Sequence, residues 1–222
     1  MIILVATEKG GVGKSTISTN LAVALRLAGK DIILVDIDPQ GSATRWQRLR
    51  QEHEQEPRIP VVAMTGRIGA DLLALDEKYE FVLVDAGGRD SIEIRDAALV
   101  ADLWVIPAVA SAFDSLAMDT ALTICMGVER QTGNPPRAYT LINKVPTLPT
   151  IQDANELDTM LREDEDYAHY MPPLNSRLSE RLDFQRSPRK GAGVLEYAPT
   201  GKAADEMRAL CAELFEDMVV VP

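Results

Sequence analysis

The stretch from Ile2 to Thr16, Ile-Ile-Leu-Val-Ala-Thr-Glu-Lys-Gly-Gly-Val-Gly-Lys-Ser-Thr, leaves few folds open. Ile2 to Ala6 is apolar without alternation, the pattern of a strand covered on both faces. Ile17, Leu21, Ala24, Leu25 and Ala28 then recur at helical spacing and predict a helix over 14–28, with Gly29 as its stop. A strand, a glycine-rich turn and a helix form the setting of a phosphate-binding loop, G-x-x-x-x-G-K-[ST]. Gly13, Lys14 and Ser15 fit the end of that pattern, but its first glycine falls on Glu8, and Lys9 stands before Gly10-Gly11. Gly10, Gly11 and Gly13, with Val12 between them, let backbone N–H groups converge on anionic oxygens. The positive end of the helix points to the same place. On this reading Lys14 reaches the β- and γ-phosphates, the Ser15 hydroxyl ligates Mg²⁺ and Thr16 contacts the α-phosphate.

The pattern continues through the chain. Buried strands are expected at 32–36, 81–85, 103–107 and 138–143, with a short one at 61–63. Helices are expected at 42–55, 66–77 and 115–130. Beyond these, 151–166 reads as an acidic helix, 168–171 as a last strand, and 176–187 and 202–217 as helices. Non-alternating strands separated by helices imply an α/β fold: a doubly wound, mostly parallel sheet flanked by helices. No repeat or linker interrupts the pattern, so residues 1–222 are expected to form a single domain.

Composition narrows the partners. The formal net charge of -11 argues against indiscriminate binding of nucleic acid or anionic lipid over the whole surface, though not against a local basic patch. Cys125 and Cys211 lack metal or redox spacing and read as idle thiols. Ile2 to Ala6 is too short for a signal peptide, and no stretch reaches the length of a membrane span, so a cytoplasmic location is expected.

Two further carboxylate segments end strands. Asp36-Ile37-Asp38-Pro39-Gln40-Gly41 follows the strand at 32–36, where sheets of this type bind ligands. Phe81-Val82-Leu83-Val84-Asp85 reads as a Walker B strand whose Asp85 holds Mg²⁺ through water, followed by Ala86-Gly87-Gly88. Together these motifs resemble the ParA/MinD family of ATPases. Lys9-Gly10-Gly11-Val12-Gly13-Lys14-Ser15-Thr16 is similar to that family's deviant Walker A loop, and residues 36–41 to its D-x-D-P-Q-G segment. The resemblance implies that Lys9 reaches across a homodimer interface to the partner's nucleotide, a cation supplied in trans as an arginine finger is. It implies Asp36 near the Mg²⁺ shell, Asp38 orienting the attacking water, and Gly87 and Gly88 as a switch sensing the γ-phosphate. The family more often has a proline shortly after the aspartate matched by Asp85. Residues 89–91 and 105–114 also look family-like, with Asp114 toward the dimer face.

Asn143, at the end of a strand, can donate and accept and suits an adenine edge. A guanine-reading N-K-x-D would need Asp where Pro146 stands, which favours ATP. Residues 194–199, before a helix, resemble a family segment that closes over the base. The resemblance implies an ATP-driven dimer that binds DNA non-specifically and is released when a separate centromere-binding or cargo adaptor protein stimulates hydrolysis. That fits the small plasmid-type partitioning ATPases, nucleoid-associated in the ATP state and without an N-terminal DNA-binding regulator. Arg177, Arg181, Arg186, Arg189, Lys190 and Lys202 form a basic strip suited to phosphate contact. A MinD-like membrane role is disfavoured by Glu206, Glu213, Glu216 and Asp217 in the C-terminal helix, and residues 218–222 are too short to anchor. A related ATPase that positions a protein cargo is the alternative. A nitrogenase-like reductase is disfavoured because neither cysteine fits a subunit-bridging cluster, and Lys9 is superfluous in a monomeric P-loop enzyme.

Overall fold

The structure, a computed structural model, describes residues 1–110, 115–148 and 153–216. Asp114 and residues 217–222, Asp217 among them, lie outside them. Six strands, β1 (Ile2–Val5), β2 (Ile32–Asp36), β3 (Val61–Ala63), β4 (Phe81–Asp85), β5 (Leu103–Ala108) and β6 (Ala138–Ile142), form one sheet. Their order is β3-β2-β4-β1-β5-β6, and every pairing is parallel.

Alternate residues of the strands serve two cores. Ile3, Val5, Ile32, Leu34, Leu83 and Val105 face one side, covered by α1 (Lys14–Leu27), α2 (Ser42–Glu52), α9 (Val194–Tyr197) and α10 (Lys202–Phe215). Ile2, Leu4, Ile33, Val35, Val84 and Trp104 face the other, covered by α3 (Gly69–Asp76), α4 (Ile92–Val100), α5 (Ser115–Thr132), α6 (Asp153–Glu163) and α7 (Glu165–Tyr170). A strand buried on both faces has no solvent side, which is why these runs lack polar alternation. Cys211 and Cys125 sit one in each core as free thiols, each pushed up to about 12 by burial.

Three segments depart from the sequence reading. The strand expected at 168–171 is helix α7: Asp164 caps it by accepting from Asp166 N at 3.0 Å and Tyr167 N at 3.1 Å, with Glu165 and Asp166 in its first turn. The helix expected at 176–187 is confined to α8 (Leu182–Arg186) and a 3₁₀ turn at Ser187–Lys190. Residues 172–180 run extended along β6 instead, where Leu174 N donates to Thr140 O, Leu178 N to Ile142 O and Glu180 N to Val145 O. Those bonds cover a sheet edge that would otherwise present unpaired backbone. Helix α4 is absent from the sequence reading, although Ser91 caps it and Ile94, Ala97 and Ala98 form its buried stripe.

The parallel order has one consequence for function. The carboxyl ends of β2, β4 and β1 lie side by side, with Asp36 opposite Asp85 and Asp85 opposite Val5. The glycine loop leaves β1 at that same edge.

Candidate active site

The loop between β1 and α1 is shaped by its glycines. Gly11 and Gly13 have φ of 75° and 97°, the left-handed region that side chains rarely enter. At Gly13 space is also short: a Cβ there would stand 2.4 Å from Asn143 Nδ2. Asn143 Nδ2 donates to Val12 O at 2.7 Å and Lys144 Nζ to Gly11 O at 2.7 Å, so the end of β6 braces the loop from outside. Lys14 is buried and donates to Lys9 O at 2.7 Å. Burial lowers its pKa, and Asp85 and Asp38 act in the opposite direction.

Asp85 is fully buried beneath the loop. Oδ1 accepts from Ser18 Oγ at 3.0 Å, and the nearby Ser15 hydroxyl also favours the ionised carboxylate. Oδ2 is buried without a hydrogen-bond partner, a costly arrangement that a cation or its hydration shell would relieve. Desolvation dominates its titration, and its pKa is raised to about 7 despite the two serines, with Asp36 and Asp38 adding to the rise. Ser15 beside Asp85 is therefore a donor set that fits Mg²⁺, which takes few protein oxygens and completes its shell with water and phosphate.

Between the ordinary carboxyl value of 3.8 and about 7 the folded chain keeps a proton that the unfolded chain has lost. Metal-free stability therefore falls as pH rises through that window. Asp85→Asn is expected to melt higher than the parent at pH 7.5 without metal, by on the order of a few kcal/mol. The gap should close toward pH 4, as thermal melts across pH would record.

Asp36 has a different environment. Oδ2 accepts Thr44 N and Thr44 Oγ1, both at 2.8 Å, and Oδ1 accepts Asp38 N at 3.1 Å. It thereby fixes the start of α2 and the turn that carries Asp38. Asp38 is half-buried, accepts Gln40 N at 2.9 Å, and lies against Gly87, where a Cβ would stand 3.1 Å from Asp38 Oδ1. A Cβ on Gly88 would be 3.0 Å from Gly10 Cα. The Gly87-Gly88 turn is thus wedged between Asp38 and the loop, and side chains there would force them apart.

A cavity of about 180 Å³ opens beside the loop, lined among others by Thr16, Ile17, Asn143, Leu178 and Phe184. Its apolar walls and amide edge have the chemistry a purine base requires.

The sequence profile of the CbiA family, the CobQ/CobB/MinD/ParA nucleotide binding domain, matches residues 3–218. The chain belongs to this family. It is 30% identical over 247 residues to the chromosome-partitioning ATPase Soj of Thermus thermophilus, covering 96% of this chain and 94% of Soj. It is 26% identical over 213 residues to the maintenance of carboxysome distribution protein A of Halothiobacillus neapolitanus, covering 95% and 94%. The ATP complex of a Cyanothece McdA variant superimposes with a TM-score of 0.75 at 15% identity, over 99% of this chain and 98% of that one. The chain is a ParA/MinD-type nucleotide-binding ATPase whose ligands are ATP and Mg²⁺. Members of this family act as ATP-dependent dimers with partner proteins and DNA.

Of the residues singled out in the sequence, the ParA/MinD loop (9–16), Asp36, Asp38, Asp85 and Asn143 meet at this edge of the sheet. The basic strip only partly holds together. Arg177 pairs with Asp158 and Asn155, and Arg181 with Glu206, whereas Arg186, Arg189 and Lys190 are exposed around α8 and the following turn. The acidic residues of α10 have internal duties: Glu206 holds Ser179 and Arg181, and Glu213 accepts Asn175 N and Ser176 N. No helix among the described residues is long and apolar enough to cross a membrane. Ser18, Thr44 and Lys144 are site residues that motif reading misses. Ser18 could have been found, since it stands four residues after Lys14 on the same helix; nothing in the sequence marks Thr44.

Proposed function

We propose that the protein is a cytoplasmic partitioning ATPase whose two subunits close on ATP, bind DNA without sequence preference and separate when an adaptor protein stimulates hydrolysis. The observation that carries this reading is the wedge of Gly87-Gly88 between Asp38 and Gly10, which supports a switch responsive to the terminal phosphate. In this scheme residues 10–16 cradle the phosphates and Lys14 moves from Lys9 O to the β- and γ-phosphates. Ser15 and Asp85 hold Mg²⁺, which neutralises charge on the phosphates when bound. Asp36 lies too committed to Thr44 to serve mainly as a metal ligand; it positions the Asp38 turn and stands beside the metal shell. Asp38 orients the attacking water. Lys9 is given to the partner's nucleotide, where charge develops on the transferred phosphoryl group. Adenine enters the cavity beside Asn143: one Nδ2 hydrogen is bonded to Val12 O, and the second, together with Oδ1, is left for the edge of the base.

Asp38→Ala tests the scheme. With ATP and Mg²⁺ it is expected to sediment as a stable dimer and to lose at least about 100-fold in turnover, the range for removal of a group that directs proton transfer. A monomer at high concentration, or parental turnover, would refute the assignment. Identity to the carboxysome distribution protein supports a second reading, in which the same cycle positions a protein cargo. Co-purification with a small DNA-binding adaptor separates segregation of DNA from that alternative.

A further inference from the structure

The cavity beside the loop is lined also by Ser179 and by Arg181, a residue of the basic strip. Its wall is joined to the phosphate loop through backbone. Val145 N donates to Leu178 O at 3.0 Å and Glu180 N to Val145 O at 2.8 Å, so residues 178–180 run beside the segment whose Asn143 and Lys144 brace the loop. Helix α10 holds the same wall from its other side. Glu206 Oε2 accepts Ser179 N at 2.9 Å. Its Oε1 accepts Ser179 Oγ at 2.7 Å and Arg181 Nε at 2.8 Å, with Arg181 Nη2 at 2.7 Å. Ala203, Ala204 and Met207 of α10 are buried in the core that also takes Ile17 and Leu21 of α1, so Glu206 stands on a rigid support. The side chains of Arg181 and Glu206 are only 24% and 18% exposed.

We infer that Arg181 is a contact residue for the nucleoside of the bound nucleotide, and that Glu206 is the residue that positions it. This rests on the reading that the base enters this cavity, and it moves Arg181 from the DNA strip to the nucleotide site. The cavity of about 180 Å³ is smaller than the roughly 300–1,000 Å³ of a pocket for a whole drug-sized ligand, so it takes one ring system and leaves the phosphates to the loop. Ile17, Leu178 and Phe184 give it apolar walls suited to a ring. The bonds to Glu206 use N–H groups in the plane of the guanidinium, whereas stacking uses the faces of that plane. Glu206 also offsets the charge. What Arg181 brings to the cavity is a fixed planar surface, in contrast to the exposed cations Arg186, Arg189 and Lys190.

The test compares equilibrium binding of ATP, ADP and inorganic tripolyphosphate to the full chain, each with Mg²⁺. Tripolyphosphate engages the loop and lacks the nucleoside. The parent is expected to bind ATP at least about tenfold more tightly than tripolyphosphate. Arg181→Ala should weaken ATP and ADP about tenfold, the range of a desolvated contact between a cation and a ring, and leave tripolyphosphate within about twofold. Glu206→Gln, which removes the charge and sets an amide group against Ser179 N, should follow the same pattern. The two substitutions combined should weaken ATP no further than Arg181→Ala alone, because Glu206 acts through Arg181. Additive losses would overturn the positioning role of Glu206. Equal loss of all three ligands in either single variant would mean that the clamp only keeps wall and loop in shape, and overturns the inference. Parental ATP affinity in Arg181→Ala overturns it too, and weakened binding of duplex DNA by that variant would return the arginine to the basic strip. In each of these cases a parent that prefers ATP to tripolyphosphate leaves the base-site reading standing. A parent that binds the two equally overturns that reading and the inference together.

Discussion

Lys14→Ala is expected to leave ATP binding at least 10²–10³-fold weaker, on the order of 3–4 kcal/mol, the loss of two charge-assisted hydrogen bonds to phosphate. The same substitution should not weaken the nucleotide-free fold. Lys14 is buried with a pKa lowered by desolvation, so its ammonium is held at a cost, and it donates to the Lys9 carbonyl. Removal leaves that carbonyl beside exposed Gly10 and Gly11, where water can reach it. The expected result is therefore a variant that melts at or above the parent without nucleotide and gains nothing when ATP and Mg²⁺ are added. Calorimetric titration with ATP and paired melts measure both halves. A large loss of nucleotide-free stability would show instead that Lys14 holds the loop together, and the binding defect would then carry no information about phosphate. Strain of this kind, retained at a site because the ligand relieves it, also explains the partnerless Asp85 Oδ2.

What could be read from the sequence follows from how locally each feature is encoded. The strand, loop and helix at residues 2–27 were legible because one short segment supplies apolar run, glycines and helical stripe together. Asp36 and Asp85 were legible because each ends an apolar strand, and parallel pairing then brings them opposite one another. The extended course of 172–180 was not legible, because it is imposed by β6 and by Glu206 and Glu213 of α10, none of which lies near it in sequence. Arg177 and Arg181 look like free cations for the same reason: their partners Asp158 and Glu206 stand 19 and 25 residues away, positions that only the fold brings close. Asn143 was legible as a site residue, but its bond to Val12 O was not, since a strand-ending asparagine gives no sign of which neighbour it will brace.

Arg50 is the clearest case of a residue that sequence hides, and its removal should have the largest effect on stability. It lies in a polar helical run, Arg45 to Glu52, that reads as solvated, yet its side chain is buried against Trp46 with the guanidinium 5.4 Å from the ring. Every direction of the guanidinium is used: Nη1 and Nη2 meet the two oxygens of Glu196 at 2.9 and 2.7 Å, Nη1 also meets Gly191 O, and Nε and Nη2 meet Pro57 O. Glu196 in turn accepts Gly193 N at 3.0 Å. Arg50→Ala would strand a buried carboxylate and two carbonyls, and is expected to cost about 3–5 kcal/mol. For a chain of this size that corresponds to a melting temperature lower by roughly 10 °C. Arg50→Met combined with Glu196→Leu removes both charges while keeping volume, and should recover most of the loss, because an absent ion pair costs less than half of one. Equal destabilisation by the single and double variants would mean that the bonds to Pro57 and Gly191, not the ion pair, hold α2 to the basic turn. That outcome would still tie α2 to residues 187–193, but through a backbone carbonyl that no substitution of Glu196 could release.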